Sequence, residues 1–115
     1  VAEHWKLTLR RGPKVTVQRA ASRDAALDAL AAALSTSHVD RLRPARAFAR
    51  EIAPEDQVAL RAELAGPQRL WPRVHAGVDV RGDGSFVAFT GRVNRAVVEI
   101  EDGETPVQAL RRVVG

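Results

Sequence analysis

Cysteine, methionine and tyrosine are absent, and lysine occurs only twice in 115 residues. Without cysteine, disulfides, thiolate nucleophiles, Cys-ligated zinc and iron–sulfur clusters are excluded. Three Phe and two Trp are the only aromatics, so the core has to come mostly from Val, Leu and Ala. No apolar run reaches the roughly 20 residues of a membrane-spanning helix. No signal-peptide pattern is visible, so the expected location is a bacterial cytoplasm and no membrane partner is expected. Acid falls short of base: 18 Lys and Arg against 14 Asp and Glu give a formal charge of +4. That excess draws polyanions modestly, and many ordinary proteins carry as much. Sixteen of the 18 cations are arginine; with twenty alanines and two isoleucines, this reads as the coding bias of a GC-rich genome. The preference for arginine over lysine is therefore weak as a functional signal.

What is present fits one α+β domain over residues 1–115. Trp5, Leu7 and Leu9 alternate with Lys6, Thr8 and Arg10, and Val15 and Val17 continue that period beyond Arg11-Gly12-Pro13. A two-residue period is that of a strand with one wet face, and the Gly-Pro turn makes the pair a hairpin. Ser22 is placed to cap a helix that carries Asp24 in its first turn and Leu27, Leu30 and Leu34 along one stripe. That stripe is expected to cover the Trp5 and Val17 face of the hairpin. Residues 38–54, broken by Pro44, read as a short strand or an irregular crossover. Residues 55–65 fit a strand, with Val58, Leu60, Ala62 and Leu64 inward, or a helix opened by Pro54; the unbroken alternation favours the strand. Residues 77–90 form a second hairpin about Arg81-Gly82-Asp83-Gly84, Gly91 marks a bulge or bend, and residues 93–100 give one more strand. Thr105 and Gln108 form a capping box with Pro106 at the first helical position, and Val107, Leu110 and Val114 line the helix's inner side. The sum is an antiparallel sheet of about five to six strands with two helices packed on it.

The Trp-initiated strand over 5–10, the Gly12-Pro13 turn, the Ala/Leu-rich helix over 22–34 and the Gly-Val-Asp-Val-x-Gly-Asp-Gly-Ser stretch over 77–85 resemble uncharacterised small proteins of high-GC actinobacteria. The resemblance spans most of the chain and implies no activity.

No motif specifies a reaction or a cofactor. The densest cationic run, Arg41, Arg43, Arg46 and Arg50, is the candidate polyanion-binding strip, with Trp71 and Phe48 as stacking surfaces for a single strand. Asp40 and Glu51 flank the run, so a salt-bridged surface explains it as well. Lys14, Arg10 and Arg11 would extend a patch only if the fold gathers them. Asp79 and Asp83-Gly84 suggest a calcium loop, but position twelve would be Thr90 where glutamate is needed. Arg81-Gly82-Asp83 is a turn. His4, His38 and His75 are too scattered for a metal site, and in a strand His75 and Asp79 would share a face about 13 Å apart. Glu99, Glu101, Asp102 and Glu104 suit a soluble edge strand and a helix start. Two partner classes follow. The leading one is a protein or a second copy of the chain, making a homodimer, anchored by Trp71 or Trp5 in a non-enzymatic interaction domain. The other is nucleic acid, bound by the arginine run. An enzyme ranks third, because no acid, base and nucleophile converge in the sequence.

Overall fold

The chain reverses at Gly12-Pro13, and that turn decides which side chains face the core. Trp5–Arg11 (β1) and Lys14–Ala20 (β2) pair antiparallel, with Arg11 opposite Lys14 and Gly12 taking a φ of 56°. A computed structural model describes residues 4–36, 45–47, 50–52, 57–67 and 72–114, with only the backbone described at 36, 45–47 and 50–52. With the hairpin closed at Arg11 and Lys14, Leu7 lies opposite Gln18 and Thr8 opposite Val17. Directly opposed residues share a face. Val17 therefore projects away from Leu7 and is 48% exposed, correcting the expectation that a helix covers it.

Val58–Gly66 (β5) lies along the other side of β1, followed by Val74–Arg81 (β6), Phe86–Thr90 (β7) and Ala96–Val98 (β8). They form one six-stranded sheet in the order β2-β1-β5-β6-β7-β8, antiparallel throughout. Arg23–Thr36 (α1) and Pro106–Val114 (α2) pack on one side of it. The fold is α+β, as the periodicities imply. Ala45–Ala47 (β3) and Arg50–Ile52 (β4) form a separate two-stranded sheet, a hairpin where a single short strand or a crossover was expected.

Each helix starts where its caps place it. The Ala25 N–H donates to Ser22 Oγ at 3.1 Å. Thr105 N–H donates to Gln108 Oε1 at 2.8 Å, and Gln108 N–H returns to Thr105 Oγ1 at 3.1 Å, completing the capping box. Leu27 and Leu30 of α1 and Val107, Ala109 and Leu110 of α2 are buried against Trp5, Leu7, Ala62, Leu64, Ala76, Val78, Ala88 and Val98. Arg111 ties the helices together through Asp24 at 2.8 Å and Asp28 at 3.2 Å.

Three further expectations change. Residues 58–66 are a strand with Leu60, Ala62 and Leu64 buried, but a register shift between Val58 and Leu60 leaves Val58 exposed. The last strand is three residues long rather than eight. Gly91 takes a φ of 93° with the Asn94 carbonyl folded against it, so the chain turns there and Val93 is left in solvent. Trp5 is 5% exposed and packs against Gly66, so it closes the core and is not a surface anchor.

Candidate functional site

No described helix covers the second face of the sheet. Its side chains follow from the register as three rows running across the strands. The first is Arg19, Lys6, Ala65 and His75; the second is Val17, Thr8, Glu63, Gly77, Phe89 and Val97; the third is Val15, Arg10, Arg61, Asp79 and Val87. Arg10, Arg19, Val15 and Val17 are exposed and Lys6 is half-buried. Arg11 and Lys14 face each other at the hairpin tip, but alternation sets them on the Leu7 and Leu9 side, so the register splits Arg10 from Arg11 and Lys14 and leaves Lys6, Arg10 and Arg19 as the hairpin cations of the helix-free face.

Charge is distributed unevenly over this face. Residues 4–21 hold five Lys or Arg and no Asp or Glu. Beyond residue 21 the chain holds thirteen of each sign, so its formal excess of positive charge sits in the hairpin. None of the five cations has a carboxylate partner among the described residues. Elsewhere arginines are paired: Arg61 with Asp79, Arg95 with Glu63, Arg111 with Asp24 and Asp28, and Arg112 with Glu104 and Glu101. The register also opposes like charges, Lys6 to Arg19 and Arg11 to Lys14 within the hairpin. Such pairs are destabilising by a few tenths to about 1 kcal/mol. Free cations facing one another at a local cost are what an anionic ligand would offset.

The centre of the face is different. Asp79, 5% exposed, accepts from Arg61 Nε at 2.7 Å and from Arg61 Nη2 at 3.0 Å. This two-pronged bond raises the Arg61 pKa further. Phe89 lies over Gly77, where a Cβ would come within 2.6 Å of the ring's Cζ; only glycine admits the ring there. Arg95 stacks on that ring with Cζ 4.7 Å from its centroid, while Arg61 sits 6.0 Å away. Burial lowers the His75 pKa, and the nearby Arg92 lowers it further.

No family model matches the chain, and neither does any curated protein or solved structure.

The residues singled out in the sequence fall as follows. Arg41, Arg43 and Trp71 lie outside the described residues, as do the side chains of Arg46, Phe48 and Arg50; the backbone register sets Arg46 opposite Glu51. Asp83 accepts from the Ser85 N–H at 2.9 Å and from Ser85 Oγ at 2.6 Å, the bonds of a hairpin turn. His75, Asp79 and Ser85 do not form a catalytic set, because Asp79 is held by Arg61 and Ser85 by Asp83. Glu104 holds Arg112 at 3.1 Å and accepts the Glu101 N–H, and the arginine lowers its pKa. Among the described residues, no three His, Asp or Glu gather as a metal site. No helix there is long and apolar enough to cross a membrane. A hollow of about 470 Å³ between the end of α1 and the start of α2 is lined by Leu34, Phe86, Pro106 and Val107, with few polar groups. Two of these are already engaged, since Ser35 Oγ donates to the Ala32 carbonyl and Thr105 Oγ1 caps α2.

Sequence reading missed the Arg61–Asp79 pair and the Gly77–Phe89–Arg95 stack, which join residues up to 18 positions apart. The signal it could have used was the lack of any acid over residues 4–21.

Proposed function

We propose that this domain binds nucleic acid through the helix-free face of its sheet, by contacts to the phosphate backbone rather than by reading base edges. The observation that carries the reading is the acid-free hairpin: on the helix-free face Lys6, Arg10 and Arg19 have no carboxylate partner among the described residues, and Lys6 stands directly opposite Arg19. Cations of this kind take up phosphates with release of counterions, which makes binding steeply salt-dependent. A second copy of the chain is the poorer fit to this surface, because each copy would bring the same three hairpin cations to the contact. Arg41, Arg43, Arg46 and Arg50 are a further source of cations in the same reading.

Titration of a labelled oligonucleotide at several salt concentrations tests it. If the three hairpin cations of this face meet phosphates of a single strand, the logarithm of the affinity falls against the logarithm of salt with a slope of about −2. A slope near zero contradicts the reading. The triple variant R43A/R46A/R50A in the same titration measures the share of the second arginine group. Displacement of the oligonucleotide by polyglutamate as readily as by unlabelled DNA would assign the face to an acidic protein instead.

A further inference from the structure

We infer that the face takes a single strand rather than a duplex, and that a base of that strand stacks on the guanidinium of Arg95. The inference deepens the nucleic-acid reading and rests on it.

Two regions of one face differ in charge and in shape. On β1 and β2, Lys6, Arg10 and Arg19 have no carboxylate partner among the described residues and share a face with the exposed Val15 and Val17. On β5 to β7 the charges cancel within the face, Arg61 against Asp79 and Arg95 against Glu63. That second region is a flat, balanced surface: the Phe89 ring lies over Gly77 and the Arg95 guanidinium lies over the ring at 4.7 Å. Phe89 itself is 4% exposed, so its π-face is already covered, whereas Arg95 keeps 34% of its side chain in solvent. Unpaired bases stack on aromatic rings and on Arg guanidinium planes alike.

The spacing suits one strand. Phe89 is three strands from β1 and four from β2. At about 4.8 Å per strand, the stack is therefore roughly 14–19 Å from the free cations along the face. A few nucleotides cover that span, with phosphates on the hairpin and bases turned toward the neutral stack. In a duplex the bases are stacked on each other and show only their edges in the grooves. Its second backbone would also bring phosphates over Glu63, which sits in the middle row between Thr8 and Gly77. A neutral stacking surface adds nothing to the binding of a duplex; beside a cationic strip it completes a single-strand site.

The experiment compares three probes at one salt concentration: a short oligothymidylate, an abasic strand of the same length, and the corresponding duplex. Wild-type protein is expected to bind oligothymidylate about fivefold or more tightly than the abasic strand, because both carry the same phosphates and only one has bases to stack. Arg95→Lys keeps the charge and loses the planar fork. It should bring oligothymidylate down to the abasic level and leave abasic binding unchanged. Phe89→Leu should act in the same direction by removing the support of the guanidinium; if that variant does not fold, the exposed Arg95→Lys decides alone. Equal affinity of wild-type protein for the two single strands overturns the stacking inference, as does tighter binding of the duplex. Either result leaves the phosphate-binding reading standing, which falls instead if reversing the charges of the hairpin leaves abasic-strand affinity unchanged.

Discussion

Replacing Arg10 and Arg19 together by glutamate is expected to lower oligonucleotide affinity by roughly 100-fold or more and to reduce the salt slope by about 1.4 units. The same variant should be slightly more stable than the wild type. In the register, Arg19 faces Lys6 and Arg10 faces Arg61, so each reversal turns a like-charged cross-strand pair into an opposite-charged one. Each such exchange contributes about 0.5–1 kcal/mol, so the melting temperature should rise by roughly 4 °C or more. The opposed signs give the prediction its force. A residue that merely holds the hairpin together loses stability and binding together; a residue kept for its ligand loses binding while the free protein gains stability. A fall in melting temperature alongside lost binding would assign these arginines to the fold.

Leu30→Ala should unfold the protein far more readily than truncation of an exposed valine on the hairpin's opposite face. Leu30 is fully buried in the cluster that joins α1 to Leu7 and Leu64. Truncating such a leucine costs about 3 kcal/mol. A domain of this size has a total stability of about 5–15 kcal/mol, and the melting temperature is expected to fall by roughly 10–15 °C. Val17→Ala, on the helix-free face, should stay within about 0.5 kcal/mol of wild type. The pair of measurements tests whether the hairpin's outer face lies outside the core. Thermal melts in which Val17→Ala costs as much as Leu30→Ala would show that the hairpin's outer face is also part of the core.

Much of this architecture could be read from local signals. The Ser22 cap, the Thr105–Gln108 capping box and the alternation over residues 58–66 are short-range patterns, and each sits where its element begins or runs. Facing was harder to read. Val15 and Val17 carry the same two-residue period as Leu7 and Leu9, yet pairing Arg11 with Lys14 sends the valines to the other side. Alternation defines two faces in each strand; only the turn closure says which faces match across strands. The last strand was overextended because Val93 looks like a strand residue, while Gly91 bends the backbone before it.

The site divides in the same way. Arginine is densest along the chain from Arg41 to Arg50, a run that Asp40 and Glu51 flank in sequence. Charge balance in space depends on register, and among the described residues the sheet pairing leaves Lys6, Arg10 and Arg19 without acids while giving Arg61 its Asp79 and Arg95 its Glu63. The Gly77–Phe89 contact likewise exists only because β6 and β7 pair in that register.

The central claim is that the helix-free face, led by the β1–β2 hairpin, is where nucleic acid sits. Backbone amide shifts followed by NMR during titration with oligothymidylate test it most directly. The account predicts that the largest changes fall on residues 6–10, 14–19 and 95, with α1 and α2 nearly silent. Changes concentrated on the helices, with the hairpin unmoved, would contradict it.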